Sequence, residues 1–144
     1  MEYIINCRSA ERQNLIAVSA KFLAQQLKID RARWTLEIVT KRGLKKNEGM
    51  KGAVMHVGPT YMLMELDSQM PLEELFNTLA HEMVHVKQFV RKEVVIKATK
   101  VRSSYYWKGK KVVTGYYNQP WEIEAWRKER LLATRLYAII EGQL

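Results

Sequence analysis

His81-Glu82-Met83-Val84-His85 reads His-Glu-x-x-His, and in this 144-residue chain it is the stretch best equipped for chemistry. Residues four apart on an α-helix project from the same side, one turn apart, so both imidazoles can reach a single Zn²⁺. The carboxylate beside the first His can then serve as general base toward a water that zinc activates. The chain has three His, and two of them lie in this motif. The plainer reading is a surface helix carrying two solvated imidazoles.

The surrounding residues favour the chemical reading. At about 100° per residue, His81 and His85 differ by about 40°, with Glu74, Thr78 and Gln88 on the same side. Leu72, Phe76, Leu79, Met83, Val86 and Val90 form an apolar stripe on the opposite side. Pro71 suits a first helical turn, and Glu73 and Glu74 complement the positive end of the helix dipole. The spacing therefore predicts a helix over residues 71–91 with a buried back and a polar front.

Two His do not complete a catalytic zinc site, which takes three protein ligands and leaves a position for water. His56 is the remaining imidazole and falls in a predicted strand, where a packed or surface role is the ordinary expectation. No His follows the motif, so carboxylates are the other candidates. Pro120-Trp121-Glu122-Ile123-Glu124-Ala125 offers two at the start of a last helix. They lie about 200° apart around its axis and cannot both face one ion. Glu122 shares its side with Trp126, Glu129 and Ala133. Acids also enrich first turns for dipole reasons alone, which is the bland explanation of either residue. Thr78 or Gln88 could orient the ligand imidazoles, and Tyr105, Tyr106, Tyr116 and Tyr117 are candidate donors to an oxyanion.

The elements that must position these groups follow from periodicity. Leu15, Ile16, Val18, Phe22, Leu23 and Leu27 recur at helical spacing from Ser9 onward. Trp34–Thr40 alternates as a strand, and residues 41–51 form a Gly- and Lys-rich loop. Gly52–Val57 and Tyr61–Leu66 read as a hairpin through Gly58-Pro59-Thr60. After the motif helix, Val94–Val101 is extended. Tyr105–Trp107 and Val112–Tyr117 flank Lys108-Gly109-Lys110 as a second hairpin. Pro120 opens a closing helix to about Glu141. The Met residues at 50, 55, 62, 64 and 70 suit an ordinary core. The expected fold is α+β, one domain over 1–144, with a small, mainly antiparallel sheet packed against an N-terminal, an active-site and a C-terminal helix.

Composition agrees with a globular chain: 47% hydrophobic and 10% aromatic residues. No apolar run has membrane-spanning length, and the N-terminus lacks the features of a signal peptide. The single Cys7 permits no intrachain disulfide and reads as a packing residue, so a reducing cytoplasm is the expected location. The net charge of +9 comes largely from Lys41, Arg42, Lys45, Lys46 and Lys51, and from a basic stretch between Arg91 and Lys111 whose one acid is Glu93. Such a balance suits nucleic acid as a partner, although solubility alone can explain it.

His-Glu-x-x-His on one helix, with Glu122 opening a second in a Glu-x-x-Ala setting, resembles the zincin metallopeptidases of the glutamate-ligand type. Among small basic versions the chain looks most like SprT-like and phage-encoded metallopeptidase domains. The resemblance implies a zincin-like fold and peptide-bond hydrolysis. It also implies Zn²⁺ held by His81, His85 and Glu122, with Glu82 as catalytic base. SprT-like domains usually supply a third His, which this chain does not place after its motif. The resemblance further implies that an extended protein or peptide substrate lies along a sheet-edge strand, for which Tyr61–Leu66 is the candidate. The competing function is a basic nucleic-acid-binding or adaptor protein whose zinc is structural or catalytically silent.

Overall fold

Alternating side chains build the sheet on which the site rests. The computed structural model describes residues 1–113 and 119–143. The chain runs β1 (Glu2–Asn6), α1 (Ala10–Gln26), β2 (Thr35–Lys41), α2 (Leu44–Glu48), β3 (Gly52–Gly58) and β4 (Tyr61–Asp67). It continues through α3 (Leu72–Val90), β5 (Val94–Ala98), β6 (Ser103–Trp107), β7 (Lys110–Val112) and α4 (Pro120–Gln143). Strands β1-β2-β4-β3 form one sheet and β5-β6-β7 another. In the first, Ile5, Ile38, Met64 and Val54 lie in one cross-strand row, and Tyr3, Leu36, Met62 and His56 in the next. A side chain every second residue sends both rows to the same face. That face meets the helices: Ile38, Met64, Leu36 and Met62 are fully buried.

The fold is mixed α+β, but its main sheet differs from the expected one. β1 pairs with β2 and β2 with β4 in parallel, and only β3–β4 is antiparallel. Antiparallel pairing dominates only in the separate second sheet. The cause lies at the N-terminus, where Tyr3 and Ile5 alternate as a strand that was not anticipated. Once β1 enters the sheet, α1 becomes a crossover, and a crossover returns the chain parallel. The predicted loop over 41–51 also holds a short helix, α2, entered and left through Gly43 and Gly49 at φ 77° and 71°. Positive φ is cheap only for glycine.

Helices α1 and α3 pack on the sheet and α4 packs on both of them, with α3 touching α1, α4, β3 and β4. Ser9 caps α1 by accepting the Arg12 N–H. The apolar stripe of α3 is buried as its phase predicts, with Phe76, Leu79, Met83 and Val86 nearly inaccessible. Leu72 departs from the stripe and is 42% exposed. It is the first residue of α3. Buried Asp67 sets the approach to α3, with one oxygen accepting the Lys45 N–H and the other the Gln69 N–H, both at 2.7 Å. Cys7 is partly buried against the core, as its packing role requires. Among the described residues no helix is long and apolar enough to cross a membrane.

Candidate metal centre

The phase of α3 that buries Met83 and Val86 turns His81 and His85 toward α4. Glu122, in the first turn of α4, comes to meet them. Fully buried Ala125 and nearly buried Ala133 keep the inner face of α4 low. The metal-binding atoms of His81, His85 and Glu122 all lie within 4.8 Å of one another. The Nε2 atoms of His81 and His85 are 3.2 Å apart. Glu122 Oε1 sits 3.4 Å from the first and in close contact with the second.

The far nitrogens decide what the near ones can do. His81 Nδ1–H donates to Glu129 Oε2 at 2.8 Å, and His85 Nδ1–H donates to Gln88 Oε1 at 2.8 Å. Each neutral ring therefore directs an Nε2 lone pair into the cluster. Two lone pairs and a carboxylate facing one another repel unless positive charge lies among them. That donor set, two imidazole nitrogens and one carboxylate oxygen, fits a divalent zinc.

In chain stripped of metal, protons must supply that charge. Burial opposes ionisation of His81, yet the carboxylates of Glu122 and Glu129 prevail and its pKa is pushed up to about 10. His85 is likewise raised, burial again being overcome, chiefly by Glu122. Glu122 is held well below the carboxylate range by the two imidazoles, against its own burial. The linkage has a definite sign. The raised His81 stabilises the fold fully below about 6.5 and loses that contribution as pH climbs through about 10. The lowered Glu122 contributes above its ordinary 4.5 and loses it as pH falls. Metal-free chain should therefore melt highest between about pH 4.5 and 6.5 and lower at pH 9. Zinc-loaded chain should lack that alkaline loss. Thermal melts of both forms across the range check this, and parallel curves would refute it.

Glu82 is 6% exposed. Burial raises its carboxyl pKa, and the neighbouring imidazoles pull against that rise. An elevated carboxyl suits a base that must take up and return a proton near neutrality. Gly52 on β3 makes the room. A Cβ there would lie 2.9 Å from Thr78 Cγ2, 3.2 Å from Glu82 Cγ and 3.2 Å from the Glu65 carbonyl oxygen. The close approach of strand to helix needs a glycine.

The other sequence candidates separate cleanly. Glu124 points away from the cluster and accepts both Lys87 Nζ contacts at 2.9 Å and the Gln88 amide at 2.9 Å. Burial opposes its ionisation, but Gln88 and Lys87 hold its pKa down at about 2. Its task is to fasten α4 to α3. His56 stands between the rings of Trp34 and Phe89, at 5.2 and 5.6 Å, outside the cluster. Thr78 donates to Met70 Sδ and not to an imidazole. Tyr105 borders the cleft. Tyr106 lies on the other face of its strand, and Tyr116 and Tyr117 fall outside the described residues. Tyr61–Leu66 does not offer a free edge, because β4 runs between β2 and β3. The edge strand beside the site is β3, since the crossover α1 places the parallel pair on the far side of β4.

Glu129 is the positioning group that sequence reasoning did not single out. Its signal was present: it lies seven residues after Glu122, on the same side of α4. Glu129→Ala should weaken zinc binding about 10- to 100-fold without abolishing it, as loss of an outer-shell partner does. Competition with a chromophoric chelator measures this, and unchanged affinity would discard the role.

The cluster opens on a cleft of about 950 Å³. No protein-family model, curated protein or solved structure matches the chain.

Proposed function

We propose that the chain is a zinc-dependent metallopeptidase of the glutamate-ligand zincin type, with His81, His85 and Glu122 as ligands and Glu82 as general base. The convergence of those three donors beside buried Glu82, in an open cleft, carries the reading. Zinc, when bound, supplies Lewis acidity toward a peptide carbonyl and makes a water acidic enough to lose a proton near neutral pH. Glu82 accepts that proton and later returns it to the departing amine. Gln88 and Glu129 hold the two rings so that Nε2 points inward. Among the described residues the outer edge of β3 is unpaired, and it offers backbone donors and acceptors to an extended peptide, as β-strand addition does. A zincin-like assignment of the fold, kinship with SprT-like or phage-encoded domains and a cytoplasmic location belong to the same proposal. They rest on the motif, on Glu122 ahead of Ala125 and on the single free Cys7.

The test is direct. Zinc-loaded chain incubated with an unfolded protein should generate new fragments, a chelator should stop this, and added zinc should restore it. Loaded chain that leaves all such proteins intact would contradict the proposal.

One observation favours a second reading, association with nucleic acid. On the outward face of the second sheet Lys97 lies 4.8 Å over the Tyr106 ring, and Lys111 pairs opposite Tyr106. Cations interleaved with an aromatic ring suit an unpaired, stacked strand. Lys97→Ala with Lys111→Ala should weaken binding to single-stranded DNA and flatten its salt dependence by roughly two counterions. An unchanged salt slope would exclude this face.

A further inference from the structure

The cleft is polar at one end and apolar at the other, with the three donors between. Helix α3 sets the order, because residues advance about 1.5 Å along its axis. Glu74 and Asn77 precede His81, and Phe89 follows His85 by one turn on the same side. At the first end Glu74 is engaged by Lys51 at 2.7 Å and Lys45 at 3.2 Å. At the other end the facing side of the second sheet contributes Val94, Ile96 and Tyr105, which share one face by strand register. Trp121, next to Glu122 in the chain, stacks on Tyr105 with ring centroids 5.7 Å apart. Val54 of β3 completes this wall with Phe89.

Val54 and Phe89 pack partly against the core, but the part of the wall on the second sheet is not consumed by it. Ile96 is 46% and Tyr105 40% exposed, although both border the cleft. The wall is continuous with Glu122 through Trp121, and β3, an edge strand among the described residues, also lines the cleft. A side chain seated there belongs to a residue beside the bond held at the donor cluster.

We infer that the wall of Val54, Phe89, Ile96, Tyr105 and Trp121 is a specificity subsite that selects peptides with a large apolar or aromatic residue flanking the cleaved bond. The inference rests on the peptidase reading and names the substrate class of that site. Acidic and small residues gain nothing from such a wall, and a carboxylate would be stripped of water there. Discrimination by an apolar pocket is typically about 10- to 200-fold, which sets the scale of the effect.

The experiment uses zinc-loaded chain and a peptide series identical except for one position, occupied by Phe, Leu, Ala or Asp, with products located by mass spectrometry. Phe and Leu peptides should be cut beside that residue with kcat/KM at least about tenfold above Ala and Asp. Ile96→Glu and Tyr105→Ser should bring the Phe-to-Ala ratio near unity. Both positions are partly exposed, and measured zinc content confirms that each variant retains its site. Binding of the Phe and Asp peptides to the Glu82→Gln chain, followed by fluorescence anisotropy, gives a readout without turnover and should show the same preference. Cleavage with no apolar preference, or a preference that both variants keep, overturns the subsite and leaves the peptidase reading standing. Absence of all cleavage overturns the peptidase reading, and the anisotropy ratio still decides the subsite: a ratio near one removes it.

Discussion

Glu82→Gln is expected to lower peptide cleavage by about 10²- to 10⁴-fold, the usual contribution of a positioned general base, while zinc remains bound. The substitution is nearly isosteric, so the tight space between Gly52 and Thr78 that houses this side chain is respected. It removes a buried carboxylate beside the donor cluster that is placed to shuttle a proton without serving as a ligand. Gln also needs no compensation for a buried charge, and at 6% exposure Glu82 carries such a cost. The variant should therefore melt at or above the wild-type temperature. Activity, zinc content and melting temperature measured together check the prediction. Cleavage retained by Glu82→Gln would remove the base from the mechanism, and loss of zinc would make Glu82 part of the ligand set.

Glu122→Ala and Glu124→Ala should part company, though the residues are two apart on α4. Loss of Glu122 removes the only carboxylate facing the two Nε2 atoms among the described residues. Zinc affinity should then fall by more than the roughly 10- to 100-fold that outer-shell losses cost. Loss of Glu124 leaves all three donors in place, so zinc should be retained. Its cost appears in stability. Lys87, 4% exposed, would keep Glu93 at 2.8 Å but lose its closest second carboxylate. Breaking a buried pair outright costs about 3–5 kcal/mol, and the surviving partner should hold the loss near 2 kcal/mol. Zinc titration and denaturant melts of both variants separate the roles. Equal zinc retention would discard Glu122 as a ligand.

Periodicity exposed the elements that carry the chemistry, because α3 and the β3–β4 hairpin are local patterns. The apolar stripe from Phe76 to Val86 is buried where its spacing predicts, and the arithmetic separating Glu122 from Glu124 matches the way the two side chains diverge. Strand order was not legible. Whether Tyr61–Leu66 lies at an edge depends on β1 and β2 joining from the far side, and pairing between distant segments leaves no local signature. Gln88 was visible as a candidate from its place beside His85, whereas the bond from Glu129 to His81 requires knowing how α4 crosses α3. The polarity of the cleft was hidden for the same reason, since its apolar end is assembled from β3, α3, β5, β6 and α4.

The most direct measurement is a crystal structure of zinc-soaked chain with anomalous diffraction recorded across the zinc edge. A single strong peak between His81 Nε2, His85 Nε2 and the Glu122 carboxylate is the predicted result. No peak there at saturating zinc, or a peak held by other residues, would contradict it.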